Sequence, residues 1–207
     1  DHGLEIDPDN AGHIELIKGP ASIHYGSDAL GGVLNIVTNK EPEKNTFESN
    51  IGSYYRSNNS LVGGSARIAV RGKNPFLILQ FSQQHFGDYK VTTDSFTYLT
   101  YKKPIVNRRL KNTAGLQQNI SISTGGSFRW GTGRIYISNS KQKMGFFTGS
   151  HGIPTNKLLA DDFSRMNIGM PYQEVNHFKI TGNIAANIGH NPLLCDIGYQ
   201  HNLRGEY

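Results

Sequence analysis

An all-β fold, with about seven antiparallel strands in up-and-down order forming an open sheet, is predicted by three observations on this chain of 207 residues. Segments of roughly 10–14 residues alternate apolar and polar side chains with a period of two. The connections between them alternate between tight and long. No run of 18 or more apolar residues exists, so no helix reads as crossing a membrane. Hydrophobic residues make up 36% and mean hydropathy is −0.47. Those values do not exclude a membrane, because a barrel strand shows lipid only every second residue and averages to a polar value. Twenty-four glycines and few good helix runs point the same way.

Ile14 and Leu16, with Glu15 between them, read as a short strand. Gly19-Pro20 stops it, because Pro20 has no N–H and a fixed φ. Gly26, Gly31 and Gly32 permit tight turns and positive φ. Val33–Thr38 reads as a second, more apolar strand. The charged segment KEPEKN contains Pro42 and reads as a linker, which divides the chain into 1–40, 41–45 and 46–207.

Seven strand candidates follow. Thr46–Tyr55 places Phe47, Ile51 and Tyr55 opposite Glu48, Asn50 and Tyr54. Leu61–Arg71 places Val62, Ala66, Ile68 and Val70 opposite Ser65, Arg67 and Arg71. Phe76–Phe86 is third. Thr113–Thr124 opposes Leu116, Ile120 and Ile122 to Gln117, Asn119, Ser121 and Ser123. Phe128–Ser140 opposes Ile135 and Ile137 to Arg134, Tyr136 and Ser138. Asn176–Ile188 opposes Phe178, Ile180 and Ile184 to Lys179, Thr181 and Asn183. Leu193–Tyr207 opposes Ile197, Tyr199 and Leu203 to Asp196, Gln200 and Arg204. Tight turns are expected at 72–75, 125–127 and 189–192. Long stretches are expected at 87–111 and 141–174, with 56–60 the short connection on their side.

Enzyme chemistry has no support. Ser150-His151 lies outside any G-x-S-x-G elbow, and no phosphate or dinucleotide loop is present. The eight histidines lack metal-ligand spacing, Asp161-Asp162 reads as a solvated pair, and Cys195 stands alone, so neither metal nor cofactor is expected. Residues 88–111 hold Lys90, Lys102, Lys103, Arg108, Arg109 and Lys111 against Asp88 and Asp94, a net +4 (six minus two). Tyr89, Phe96, Tyr98 and Tyr101 are interleaved. Capture of an anionic ligand by charge and stacking competes here with a solvated loop, which is favoured. His151 joins this candidate set.

The run IELIKGPASIHYGSDALGGVLNIVTNK, residues 14–40, resembles the end of the plug domain of TonB-dependent outer-membrane receptors. Glu15, Lys18, Gly19, Pro20, Tyr25, Gly26, Gly31, Gly32 and Asn35 fall on the family pattern, as do Ile14, Ile17, Ser22, Ala29, Ile36, Thr38 and Lys40. Lys18 stands where Arg is commoner, and Asn39 is one extra residue. Residues 145–180, with Ser150–Pro154 and Val175–Lys179, resemble a barrel segment of Bacteroidota-type members. The resemblance implies a fragment of a plugged transmembrane antiparallel β-barrel in the bacterial outer membrane. Residues 1–40 would be the C-terminal part of the plug, 41–45 the linker and 46–207 the N-terminal part of the barrel. It implies active transport of a scarce nutrient such as a ferric siderophore, haem or cobalamin, without catalysis. The implied partners are TonB, through an upstream plug segment, the outer membrane with its lipopolysaccharide, and the nutrient. Long stretches would face outward, so the cations of 88–111 are also candidates for lipopolysaccharide phosphates. The plug should pack on a polar concave face, with Glu15 and Lys18 the candidates for charge partners on the wall. A secretory signal is expected upstream, since DHGLEID has neither basic nor apolar signal regions. A soluble carbohydrate-binding β-module and a basic nucleic-acid-binding sheet are the alternatives. The first conflicts with the lipid-ready alternation and the second with the spread of charge, so no nucleic acid is expected.

Overall fold

The structure, a computed structural model, describes residues 7, 11–20, 25–26, 29–38, 40–149, 155–160, 162–188 and 191–207. Two units are visible in the chain order. First, β1 (Ala11–Ile17) pairs antiparallel with β2 (Val33–Thr38), aligning Ile14 with Ile36 and Glu15 with Asn35. A one-turn 3-10 segment, Ala29–Gly31, leads into β2. Gly32 follows at φ +119°, where a Cβ would sit 2.9 Å from the Ile17 carbonyl oxygen. Glycine is required there by both conformation and space.

The second unit is a seven-stranded sheet built from β3 (Thr46–Arg56), β4 (Leu61–Arg71), β5 (Phe76–Phe86), β10 (Gly115–Phe128), β11 (Gly131–Gly145), β12 (Tyr172–Ile188) and β13 (Asn191–Glu206). Neighbours in the sheet are neighbours in that series, and every pairing is antiparallel. This is the expected up-and-down order, open, with β3 and β13 as its edges. The stretch expected to be irregular between β5 and β10 carries two small ladders. They are β6 (Tyr89–Lys90) with β9 (Arg109–Leu110), and β7 (Ser95–Tyr98) with β8 (Tyr101–Pro104). The connection from β11 to β12 contains one helical turn, α1 (Asn156–Leu159).

The expected turn at 125–127 is a correction. β10 runs straight through Gly125-Gly126-Ser127 to Phe128, and the chain turns at Arg129-Trp130 instead. A Cβ on Gly125 would run into the Gly133 carbonyl, and one on Gly126 would lie 2.9 Å from the Asn74 oxygen. These glycines permit close approach of neighbouring backbones, not a reversal. β11 accordingly starts at Gly131 and extends to Gly145, and β12 starts at Tyr172, which shortens the second long connection. Ile188 pairs with Asn191, and Gly189-His190 of the last expected turn lie outside the described residues.

The register fixes the two faces. One outward row across all seven strands reads Ser49, Ile68, Leu79, Ile122, Ile137, Ile180, Tyr199. The next reads Phe47, Val70, Leu77, Thr124, Ile135, Gly182, Ile197. Most of these large side chains are exposed, including Phe47, Ile68, Ile135 and Ile197. The opposite face carries Arg67, Gln80, Ser121 and Ser138 in one row and is the more enclosed, with Gln80, Ser82, Asn119, Ser121 and Ser123 all buried. Apolar groups are out and polar groups in, the reverse of a water-soluble sandwich. The buried apolar cluster is small, Ala69, Phe76 and Ile78, and sits on the enclosed face near the tight turns.

Candidate functional site on the enclosed face

β4 and β11 point three arginines to the enclosed face, and all three meet the segment that joins the N-terminal pair of strands to the sheet. Arg67 donates from Nη1 to Glu48 Oε2 (3.1 Å) and from Nη2 to the Lys40 carbonyl (3.2 Å). Arg71 Nη1 donates to Glu41 Oε2 and to the Pro42 carbonyl, both at 3.3 Å. Arg134 Nη2 lies 4.0 Å from Glu41 Oε1, and its Nε donates to Ser123 Oγ. Its guanidinium also lies over the Phe76 ring, 5.6 Å from the centroid. Pro42 is fully enclosed. The arginines are only 14–32% exposed at their side chains, so these contacts are less screened than surface pairs. Arg67 and Arg71 each reach a carboxylate and a backbone carbonyl together, Arg67 with the two arms of its planar fork.

Further along this face a chain of side-chain hydrogen bonds crosses the strands. Ser140 Oγ donates to Asn119 Oδ1 (2.7 Å), Asn119 Nδ2 to Ser82 Oγ (3.0 Å), and Ser82 Oγ to Asp7 Oδ1 (2.9 Å). Gln84 Nε2 donates to Gln117 Oε1 (2.7 Å). The N-terminal segment therefore touches the enclosed face through a polar contact at Asp7.

The residues expected to pair with the wall behave differently. Glu15 accepts hydrogen bonds from Asn35 Nδ2 (2.7 Å) and from His13 (3.0 Å), both within its own pair of strands. The Asn35 bond, then His13, holds its carboxyl below the usual carboxylate range. Lys18 is exposed and has no ion pair among the described residues. Gly19 and Gly26 have φ of +80° and +117°, Gly31 lies in the 3-10 turn, and Tyr25 is exposed. Pro20 is likewise exposed. Glu41, Arg67, Arg71, Arg134 and Asp7 were missed as site residues. The polar side of the alternation held the arginines, but nothing in one sequence tells which carboxylate each meets.

The basic loop residues do not converge. Lys90 and Arg109 pair across β6–β9, with the Lys90 backbone bonded twice to the Asn58 side chain. Lys103 donates to Asn156, Arg109 to the Asp88 carbonyl, and Lys111 to Asp162 and the Ser164 carbonyl. Lys102 and Arg108 are exposed. His151 and Asp161 lie outside the described residues. Asn112 completes the arrangement, donating to the Phe146 and Pro171 carbonyls and accepting from Gly169. These contacts tie the loops at one end of the sheet to one another. No group of metal-ligating residues occurs among the described residues.

An open up-and-down sheet with an apolar exposed face and a polar enclosed face, its preceding segment bonded to that polar face, defines part of a plugged β-barrel wall. The comparisons narrow the class. Residues 1–33 match the family described as TonB-dependent Receptor Plug Domain. The chain is similar to "Vitamin B12 transporter BtuB" of Photobacterium profundum, 44% identical over 55 residues, covering 25% of this chain and 9% of that protein. It is also similar to "Probable TonB-dependent siderophore receptor PirA" of Acinetobacter baumannii, 35% identical over 81 residues, covering 38% of this chain and 10% of that protein. The matched stretches thus span about a tenth of those relatives. The N-terminal part of the chain is thus similar to the plug of TonB-dependent receptors, and an up-and-down antiparallel sheet follows it.

Proposed function

We propose that this chain forms the last part of the plug (1–40), a linker (41–45) and the first wall strands (46–207) of an outer-membrane receptor. That receptor would import a scarce nutrient by active, TonB-dependent transport. The observation that carries the reading is the pairing of opposite faces with the plug match: an apolar outer surface for lipid and a polar inner surface for a removable plug. A hydrogen bond to a carboxylate such as Ser82–Asp7 is worth about 1.5–3 kcal/mol, so a plug held by a few such contacts can be displaced without exposing an apolar core. The clamp on Lys40–Pro42 would keep the linker on the wall while the plug moves. Cargo would be held outside, among the loops tied by Asn112 and Lys111, and released inward when TonB works on the plug. No covalent step is involved, so the protein is a transporter and not an enzyme. The relatives' printed names support a cobalamin or a ferric siderophore as cargo class. The basic loop residues Lys90, Lys102, Lys103, Arg108 and Arg109 would serve mainly to solvate and tie these loops.

The test is uptake by cells expressing the intact receptor that carries this chain. Radiolabelled ferric siderophore or cobalamin should accumulate, and accumulation should stop when TonB is deleted or the proton gradient is collapsed. Equal accumulation with and without TonB would defeat the reading.

A further inference from the structure

Three separate connections meet at the side chain of Lys111. The lysine lies between β9 and β10, Asp88 between β5 and β6, and Asp162 between α1 and β12. Lys111 Nζ donates to Asp162 Oδ1 and to the Ser164 carbonyl (2.9 Å). On its other side Asp88 Oδ2 stands 3.9 Å away. The side chains of Lys111 and Asp88 are only 16% and 2% exposed, which sets this trio apart from a solvated surface pair. Both oxygens of Asp162 are held by N–H donors, Oδ1 by the Ser164 N–H (2.9 Å) and Oδ2 by Asn167 Nδ2 (3.0 Å). Asp88 is fixed as well. Its backbone N–H donates to the Arg165 carbonyl (2.8 Å), and its Oδ1 accepts the Thr113 N–H (2.8 Å). Burial pushes its carboxyl above the ordinary range, so it can hold a proton and pass it on. A cleft of about 410 Å³, lined by Asp88, Arg109, Lys111, Ser164 and Arg165, opens beside the three groups.

We propose that Lys111 and Asp162 join through an intramolecular amide bond, with Asp88 as the proton shuttle. The parts match the chemistry. Lys111 is the nucleophile, the Asp162 carboxyl is the acyl group, and Asn167 stabilises the charge that develops on Oδ2 in the tetrahedral intermediate. Nζ bonds to Asp162 Cγ, the Cγ–Oδ1 bond breaks, and Oδ1 leaves as water with two protons that come from the ammonium. Asp88 relays them, giving a proton to Oδ1 and taking one from Nζ, and ends as it began. A closing of about 1 Å brings Asp88 Oδ2 and Nζ within proton-transfer reach. Charge balances, since an ammonium and a carboxylate become a neutral amide and water. Between free molecules in water this condensation is disfavoured. Holding the two groups in contact supplies an effective molarity of roughly 10⁵–10⁸ M, which reverses that preference. The cleft gives the released water a way out. The ion pair seen in the structure is the state before the bond forms. The step belongs to the maturation of the loops and not to the transport cycle, and it ties two of them covalently whatever the cargo is.

The experiment uses the intact receptor that carries this chain, purified in detergent and confirmed as folded by its heat-modifiable gel mobility. It is then denatured in urea, acetylated at its free amines or digested with trypsin, and read by mass spectrometry. In wild type the peptides holding Lys111 and Asp162 should emerge joined and lighter by one water. Trypsin should not cut after Lys111, and Lys111 should resist acetylation while Lys90 and Lys102 are modified. Lys111→Arg keeps a cation between the carboxylates but cannot form the amide, so its peptides should emerge separate. Asp88→Asn keeps an acceptor for Thr113 but cannot relay protons, and its joined fraction should fall about tenfold or more. Asp88→Glu, which restores a carboxyl, should recover part of it. Recovery of Lys111 free and fully acetylated in folded wild type overturns the bond and leaves an ion pair only. A folded Asp88→Asn receptor joined as fully as wild type overturns the role of Asp88. If that variant does not fold, the wild-type digest still decides the bond, and equal joining in wild type and Asp88→Glu at early times after synthesis supports the carboxyl as the shuttle.

Discussion

Asp88 shows how one buried residue organises the loop end of the sheet. It is 2% exposed, its Oδ1 accepts the Thr113 N–H (2.8 Å), and Lys111 Nζ stands 3.9 Å from Oδ2. Burial pushes its carboxyl above the ordinary range, against the opposing pull of the Thr113 N–H, Lys111, the Ala114 N–H and Arg109. A raised folded value means the folded loop binds the proton more tightly than the unfolded one. Its stabilising contribution is therefore full below the ordinary value and is lost as pH rises through the folded value. Asp88→Asn keeps an acceptor for Thr113 but cannot titrate. Protection of the Thr113 amide, its exchange rate relative to the intrinsic rate at each pH, should rise on acidification through that window in wild type and change less in the variant. The reverse slope would show that the ion pair with Lys111 outweighs burial. None of this was legible in the sequence, where Asp88 is simply a counter-charge in a basic stretch. Arg67 and Arg71 were legible as to face but not as to partner, because a face follows from period two while a partner follows from the path of the linker.

At the scale of elements, breakers and alternation gave β4 and β5 their observed bounds, since Gly72-Lys73-Asn74-Pro75 cannot continue a ladder. The same habit misplaced the β10–β11 reversal, because glycine has two uses and a single sequence does not separate them. The actual turn is marked by Phe128 and Trp130, whose rings stack at 5.1 Å, and by Gly131 at φ +149°. A Cβ on Gly131 would run into the Ala185 carbonyl, whereas one on Gly133 would make ordinary contacts with Trp130 Cη2 at 3.5 Å and Phe128 Cε2 at 3.8 Å. Gly131→Ala should therefore destabilise the folded receptor by about 1–3 kcal/mol, and Gly133→Ala should stay within about 0.5 kcal/mol of wild type. Urea unfolding of both variants in detergent measures the contrast, and equal midpoints would show that the turn relaxes freely. The small ladders β6–β9 and β7–β8 escaped sequence reading because strands of two to four residues are too short to show a period.

For the whole molecule the decisive property is which side of the sheet meets which solvent. Ile122 is 38% exposed on the outward face, in register with Leu79 and Ile137. Gln118 faces the same way, four residues nearer the long loops, a separation of roughly 13–14 Å along the strand. If water surrounded this face, arginine at either position would be tolerated equally, since neither is enclosed. If a bilayer surrounds it, the cost depends on depth. Ile122→Arg should then cost about 2–4 kcal/mol and Gln118→Arg about 0–1 kcal/mol. Both substitutions leave the enclosed face, the arginine clamp and Asp7 untouched, so any difference reports the outer environment alone. Folding free energies in lipid vesicles, read by urea titration of tryptophan fluorescence and gel mobility, give the comparison directly. Trp130, the chain's only tryptophan, sits at the tight-turn end and is the natural reporter. A gap of at least about 1.5 kcal/mol between the two variants is expected from the depth dependence. No gap would mean that the exposed isoleucines face water or a protein partner, and the barrel assignment would fall with it.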